Sequence, residues 1–233
     1  MTARILVVDD DPFGRRYLEA TLADAGYATV AAADGLAAWE AFRTATLAFD
    51  VVVTDVRMPG LSGLELIGRI REGDHRVAVI AVSALGSDAQ VVSGLEAGAD
   101  DYLTKPVSAK ILVAKIRIAL RRAEPGLGGG LEPLEAAGLT LDSEAQTVRR
   151  GDVLVTLTRT ELAVVEYLMR NAGRIVSPAQ ILTSVWGEAY EFESDVLRTA
   201  IKRIRRKLGD DPRRPAILRT HIGLGYSIGL NPD

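Results

Sequence analysis

Asp9 and Asp10, Asp55, Ser83 and Lys105 each stand where an apolar run ends, in RILVVDD, FDVVVTD, VAVIAVS and YLTK. Singly, each has an ordinary reading: an Asp after a strand most often caps the next helix, and a Lys is most often a solvated charge. Together they would be a set. Three carboxylates without cysteine or histidine form a hard-oxygen site suited to Mg²⁺. An acceptor carboxylate, a lysine cation and a hydroxyl donor are the remaining parts that phosphoryl transfer needs.

The elements must bring these residues together. Val51, Val52 and Val53 are continuous rather than alternating, as in a parallel strand covered by helices on both faces. Asp55 then sits at the carboxyl end, where open α/β sheets place their ligands, and Pro59-Gly60 turns the chain away. Arg4–Val8 reads as a second buried strand, followed by a helix capped by Asp11 with Pro12 first and Leu18, Leu22 and Ala25 inward. Tyr27–Ala31, Val77–Val82 and the short Tyr102-Leu103 complete five strands. Helices between them open at Asp34 and Ser62, run through Val91, Val92 and Leu95, and end with one through Leu112, Ile116, Ala119 and Leu120. Five βα units with right-handed crossovers predict a flavodoxin-like, doubly wound parallel sheet of order 2-1-3-4-5. The first and third strands are then neighbours, so Asp9, Asp10 and Asp55 converge, with Ser83 and Lys105 ending the adjacent strands.

Composition narrows the alternatives. Zero cysteines exclude disulfides, thiolate chemistry and zinc–thiolate sites, and His75 and His221 are too few and too far apart for a histidine-rich metal site. No apolar run approaches the length of a membrane span, and charge arrives within the first ten residues, so no membrane and a cytoplasmic location are expected. The net charge of −3 does not itself suggest nucleic acid, which directs attention to how charge is distributed.

Residues 124–133, EPGLGGGLEP, read as a flexible linker between a domain at 1–123 and another at 134–233. The second half opens with short strands at Leu139–Leu141, Thr147–Arg149 and Val153–Val155. Thr158 with Glu161 is a capping box for one helix, Ser177-Pro178 opens another that ends at Trp186-Gly187, and a third spans about 194–208. In the third, Leu197, Ile201, Ile204 and Leu208 form the inward stripe, leaving Arg198, Lys202, Arg203, Arg205, Arg206 and Lys207 outside. A merely solvated face would interleave acids, and none follows Asp195 before Gly209. With 14 Lys+Arg against 15 Asp+Glu from residue 124 onward, charge is polarised rather than positive overall. A helix-turn-helix ending in such a helix, followed by a hairpin of Ile217–Arg219 and Tyr226–Ile228, is an α+β arrangement for the DNA major groove.

Residues 3–123 resemble the receiver domains of two-component response regulators through VVDDD (7–11), VVTDVRMPG (52–60), AVSA (81–84) and GADDYLTKP (98–106). The resemblance implies that Asp55 is the phosphoacceptor for a sensor histidine kinase. It makes Asp9, Asp10, Asp55 and the Arg57 backbone carbonyl the ligands of Mg²⁺ or Mn²⁺, and Ser83 and Tyr102 the switch residues. Lys105 precedes a cis Pro106. From about 134 to 230 the chain resembles the winged helix-turn-helix domain of OmpR/PhoB-type regulators, through LTRTELAVVEYLMRNAGRIVS, ILTSVWG, IKRIRRKLGDD and GLGY. That implies promoter DNA read by Arg198, Thr199, Lys202, Arg203, Arg205 and Arg206, and a transactivation loop at 187–194 for RNA polymerase. It also implies a homodimer on phosphorylation, with Val91, Asp100, Asp101, Ile111, Lys115, Arg117 and Arg122 at its interface. No enzymatic turnover beyond accepting and releasing the phosphoryl group is implied. Two positions depart from the family: Ile222 replaces the wing arginine, and Arg198 stands where an acid is usual.

Two other classes compete. A phosphotransferase of the haloacid dehalogenase type also uses an Asp nucleophile, Mg²⁺ and a lysine, and Asp9-Asp10-Asp11-Pro12-Phe13 nearly fits its motif. Pro12 opens a helix at once, no cap domain is inserted and the basic helix would have no role; turnover of small phosphoesters would favour it. An output domain acting on RNA or protein is disfavoured by the helix-turn-helix with its wing.

Overall fold

Five strands and five helices alternate through the first half: β1 (Arg4–Val8), α1 (Pro12–Asp24), β2 (Ala28–Ala32), α2 (Gly35–Thr44), β3 (Val51–Asp55), α3 (Gly63–Gly73), β4 (Ala78–Ala84), α4 (Asp88–Ala97), β5 (Asp101–Lys105) and α5 (Ala109–Arg121). The computed structural model describes residues 2–74, 76–84, 88–121, 133–143, 145, 147–191 and 193–229. His75, Arg122 and residues 124–132 of the expected linker lie outside them. The chain divides into two compact units, Met1–Ala123 and Glu124–Asp233.

The first sheet is parallel with the order β2-β1-β3-β4-β5, as the crossover argument required. All five residues of β3 are buried. The apolar runs are continuous because alternate side chains enter different cores. Leu6, Val8 and Val52 pack with Leu66, Ile67 and Ile70 of α3. Ile5, Val7, Val51 and Val53 pack with Leu18 and Leu22 of α1 and with Leu112 and Ile116 of α5. Each such side chain contributes about 1.5–3 kcal/mol. The caps fall where the polar residues suggested: Asp11 accepts from the Phe13 and Gly14 amides, Asp34 from Ala37, and Ser62 forms a capping box with Glu65. The Lys105–Pro106 bond is cis. β5 is longer than Tyr102-Leu103, because pairing with β4 continues from Ile80↔Asp101 to Ala84↔Lys105.

The second unit begins with an antiparallel sheet of β6 (Leu134–Ala136), β7 (Leu139–Asp142), β8 (Thr147–Arg150) and β9 (Val153–Val155). β6 was not anticipated; three residues beside a turn at Ala137-Gly138 are too short to show a period of two. Then come α6 (Arg159–Arg170), α7 (Pro178–Trp186), a 3-10 turn (Glu188–Tyr190) inside the expected 187–194 loop, α8 (Ser194–Leu208), and a hairpin of β10 (Leu218–His221) and β11 (Gly225–Ile228). Leu168, Leu182, Trp186, Leu197, Ile201 and Ile204 fill the core beneath the helices. Among the described residues, no helix is long and apolar enough to cross a membrane.

Candidate functional site

The carboxyl ends of β1, β3, β4 and β5 bring together the residues expected there. Carboxylate oxygens of Asp9, Asp10 and Asp55 all lie within 4.8 Å of one another. Asp9 and Asp55 are buried and Asp10 is exposed, so the cluster opens to solvent on one side. Lys105 Nζ bridges it, hydrogen-bonded to Asp55 Oδ2 and 2.9 Å from Asp9 Oδ2. The Arg57 amide donates to Asp55 Oδ1 at 2.8 Å, fixing the carboxylate's orientation.

Burial raises the Asp9 pKa, and the Lys105 charge only partly offsets it. Burial alone would lower that of Lys105, but its bonds to Asp55 and Asp9 outweigh it and raise the value, so the ammonium persists at neutral pH. Ser83 is 1% exposed and its Oγ has no hydrogen-bond partner among the described residues. A buried hydroxyl without a partner costs free energy, so one on the strand next to that of Asp55 suits an incoming oxyanion. An all-oxygen donor set with a protein cation beside it fits a hard divalent metal together with a phosphoryl group.

Three contributors escaped the sequence reading. Arg15 donates to the Asp9 carbonyl at 2.6 Å. At Gly63 a Cβ would lie 1.8 Å from the Asp55 carbonyl oxygen, and at Gly35 2.1 Å from that of Leu61, so α3 and α2 press on the loop after β3. Asp11 is occupied as the cap of α1, which removes the second acid that a dehalogenase-type site would require.

The α8 surface differs from expectation. Arg198, Lys202 and Arg206 are exposed, with Arg198 paired to Asp195. Arg203 is instead buried, its Nε 2.9 Å from Glu161 Oε1, and Thr199 is buried too. Lys207 reaches Glu161 Oε2 at 2.6 Å, and the Arg205 guanidinium donates to the Leu218 carbonyl and Thr220 Oγ1. The expectation of six outward cations is therefore corrected: a guanidinium on the flank of the apolar stripe is drawn inward by a buried carboxylate. A signal existed, since Val196 and Ala200 precede Arg203 at spacings of seven and three, on its own side of the helix.

The expected dimer residues also separate. Ile111 and Arg117 are exposed and Val91 is half-buried. Asp100 is buried, accepting from Arg71 at 2.7 Å and from the Val79 amide at 2.9 Å. Asp101 is buried against Lys115 at 2.8 Å. Both acids, expected among the dimer contacts, are buried with partners inside the fold.

Comparison with known proteins agrees in both halves. Residues 5–117 match the family described as response regulator receiver domain, and residues 151–228 that described as transcriptional regulatory protein, C terminal. The chain is 38% identical to the response regulator MprA of Mycobacterium sp. (strain KMS) over 232 residues, covering 100% of both. It is 33% identical to the response regulator DrrB of Thermotoga maritima, an OmpR/PhoB homologue, with a TM-score of 0.51 over 98% of this chain and 99% of that one. A RitR mutant shares the fold at 21% identity, with a TM-score of 0.78 over 98% and 100% of the two chains.

Proposed function

Because the chain belongs to the response regulators of the OmpR/PhoB type, a receiver joined to a winged-helix transcriptional regulator, we propose that Asp55 receives a phosphoryl group from a sensor histidine kinase and that this state controls promoter binding. The observation carrying the reading is the convergence of Asp9, Asp10 and Asp55 with Lys105 and an unpartnered Ser83 hydroxyl.

An Asp55 oxygen attacks the phosphorus of the donor phosphohistidine as the P–N bond breaks, and the imidazole leaves with the electron pair and takes up a proton. Lys105, already against Asp55, turns its charge to the phosphoryl oxygens, and Ser83 Oγ donates to another. Asp9, Asp10, Asp55 and the Arg57 carbonyl would hold Mg²⁺ or Mn²⁺, which when bound neutralises charge developing on the transferred group. Water later attacks the acyl phosphate and releases inorganic phosphate, the only turnover in this reading.

Movement of Ser83 passes along the β4–β5 ladder, where Ala81 faces Tyr102 and Ser83 faces Thr104. The switch then favours a homodimer through α4, β5 and α5, with Val91, Ile111 and Arg117 as its contacts. In the cytoplasm, Lys202, Arg206 and Arg198 of α8 meet promoter DNA, and the segment around Glu188–Tyr190 is offered to RNA polymerase. Incubation with acetyl phosphate and Mg²⁺ followed by mass measurement tests the chemistry. One added phosphoryl group is expected, and none when EDTA is present from the start; incorporation retained in Asp55→Ala would overturn the assignment.

A further inference from the structure

The wing ends in aliphatic side chains. Ile222 is 96% exposed and Leu224 61%, both on the three-residue turn between His221 and Gly225. A single exposed aliphatic residue needs no explanation. Two on the tip of a hairpin that is anchored to the rest of its unit do. Arg205 of α8 donates to the Leu218 carbonyl and to Thr220 Oγ1. Asp210 accepts the Ala216, Ile217 and Leu218 amides. Val176 exchanges backbone hydrogen bonds with Tyr226 in both directions, at 2.8 and 3.0 Å. His221 Nε2 lies 2.8 Å from Ser227 Oγ across the strands. The tip is therefore held in fixed relation to the helix that carries Lys202 and Arg206.

We infer that Ile222, supported by Leu224, is an apolar wedge that enters the DNA minor groove beside the bases read by α8 and is seated best at easily unstacked pyrimidine–purine steps. The inference rests on the DNA-binding reading and specifies its second contact. With α8 in the major groove, a hairpin tied alongside it crosses the phosphate ridge and meets the adjacent minor groove. Aliphatic side chains there part base steps and bend the duplex, and steps such as TA and CA yield most readily. The surroundings favour nucleic acid over a protein partner. Lys202, Arg206, Arg213 and Arg214 are exposed in the same unit, Arg219 lies on β10, and such cations suit phosphates rather than the charge-poor core of a protein interface.

The test uses the full-length protein treated with acetyl phosphate and Mg²⁺, selected on a randomised duplex DNA pool. Wild type is expected to enrich a pyrimidine–purine step at one fixed distance from the helix-read bases and to bend the selected duplex in an end-to-end fluorescence transfer assay. Ile222→Ser should weaken binding to that duplex by about tenfold or more, from the loss of one buried aliphatic side chain, and reduce the bend, while Ile222→Leu retains both. Because residue 222 is almost fully exposed, these substitutions leave the fold intact. Equal affinity and equal bending by wild type and Ile222→Ser, with Lys202→Ala still weakening binding, would overturn the wedge and leave the DNA-binding reading standing. No enrichment of any duplex by wild type would overturn both. Sedimentation showing that DNA-free protein self-associates through Ile222 would overturn the wedge in favour of a contact between copies.

Discussion

Arg203 looks like a DNA contact by position and is held as a core residue by its environment, and substitution separates the two roles. Its side chain is 7% exposed and its Glu161 partner 1% exposed. Removing one member of a buried pair typically costs about 3–5 kcal/mol. Because Lys207 still neutralises Glu161 at 2.6 Å, Arg203→Ala falls at the lower end, about 3 kcal/mol. At roughly 4–8 °C per kcal/mol for a unit of this size, the melting temperature drops by about 12–24 °C. Glu161→Ala should cost more, because it removes the carboxylate shared by Arg203 and Lys207 and also frees the Thr158 amide that Glu161 caps at 2.8 Å.

Trp186 is fully buried in the second unit, so its fluorescence in a Trp39→Phe background follows urea unfolding of that unit alone. Binding isotherms at several salt concentrations complete the experiment. Lys202→Ala should reduce the slope of log affinity against log salt by about one, and Arg203→Ala, assayed where it is folded, should leave it unchanged. A Trp186 transition that does not move in Arg203→Ala, together with a slope reduced by about one, would refute the burial argument.

Lys105→Ala removes the cation shared by Asp9 and Asp55, leaving three carboxylates to repel one another; Mg²⁺ should then raise the melting temperature of the first unit more than it does in wild type, and equal rises would count against the reasoning. Asp100→Asn removes the charge that faces Arg71 across a buried 2.7 Å ion pair and should destabilise the first unit by about 3 kcal/mol in urea; a loss below about 1 kcal/mol would show the pair to be dispensable. Ile111→Asp should weaken the beryllofluoride-induced dimer of the full chain seen by sedimentation, and an unchanged dimer would move the interface elsewhere. Ile222→Arg should raise affinity for sites flanked by an A-tract, whose narrow groove concentrates negative potential, and no change there would place the wing away from that groove.

The sheet order was legible because continuous apolar runs, short crossovers and capping residues all pointed to one topology, and that topology alone brought Asp9, Asp55, Ser83 and Lys105 together. The tertiary fate of the charged residues was not legible. Asp100 and Asp101 sit in GADDYLTKP with nothing nearby in sequence to say that each is covered; their partners Arg71 and Lys115 lie 29 and 14 residues away. Arg203 and Lys207 were assigned to the outside because hydrophobic periodicity marks the centre of a buried stripe better than its flanks, and a buried Glu161 shifts which flank is covered. β6 was missed because hydrogen bonding to β7 defines it, and three residues carry no period of their own.

The glycines that pinch the loop after β3 shape how this chain can diverge. At Gly35 and Gly63 the obstacle to a side chain is a carbonyl of the main chain, so no choice of rotamer relieves it. Gly68, on the same helix as Gly63, has nothing within 4 Å and would accept alanine with a gain in helix propensity. In a saturation library scored by signalling, position 68 would fill with variants while 35 and 63 emptied. Lineages descending from such a protein would be held at two residues that carry no chemistry as firmly as at the carboxylate whose following loop they pack against.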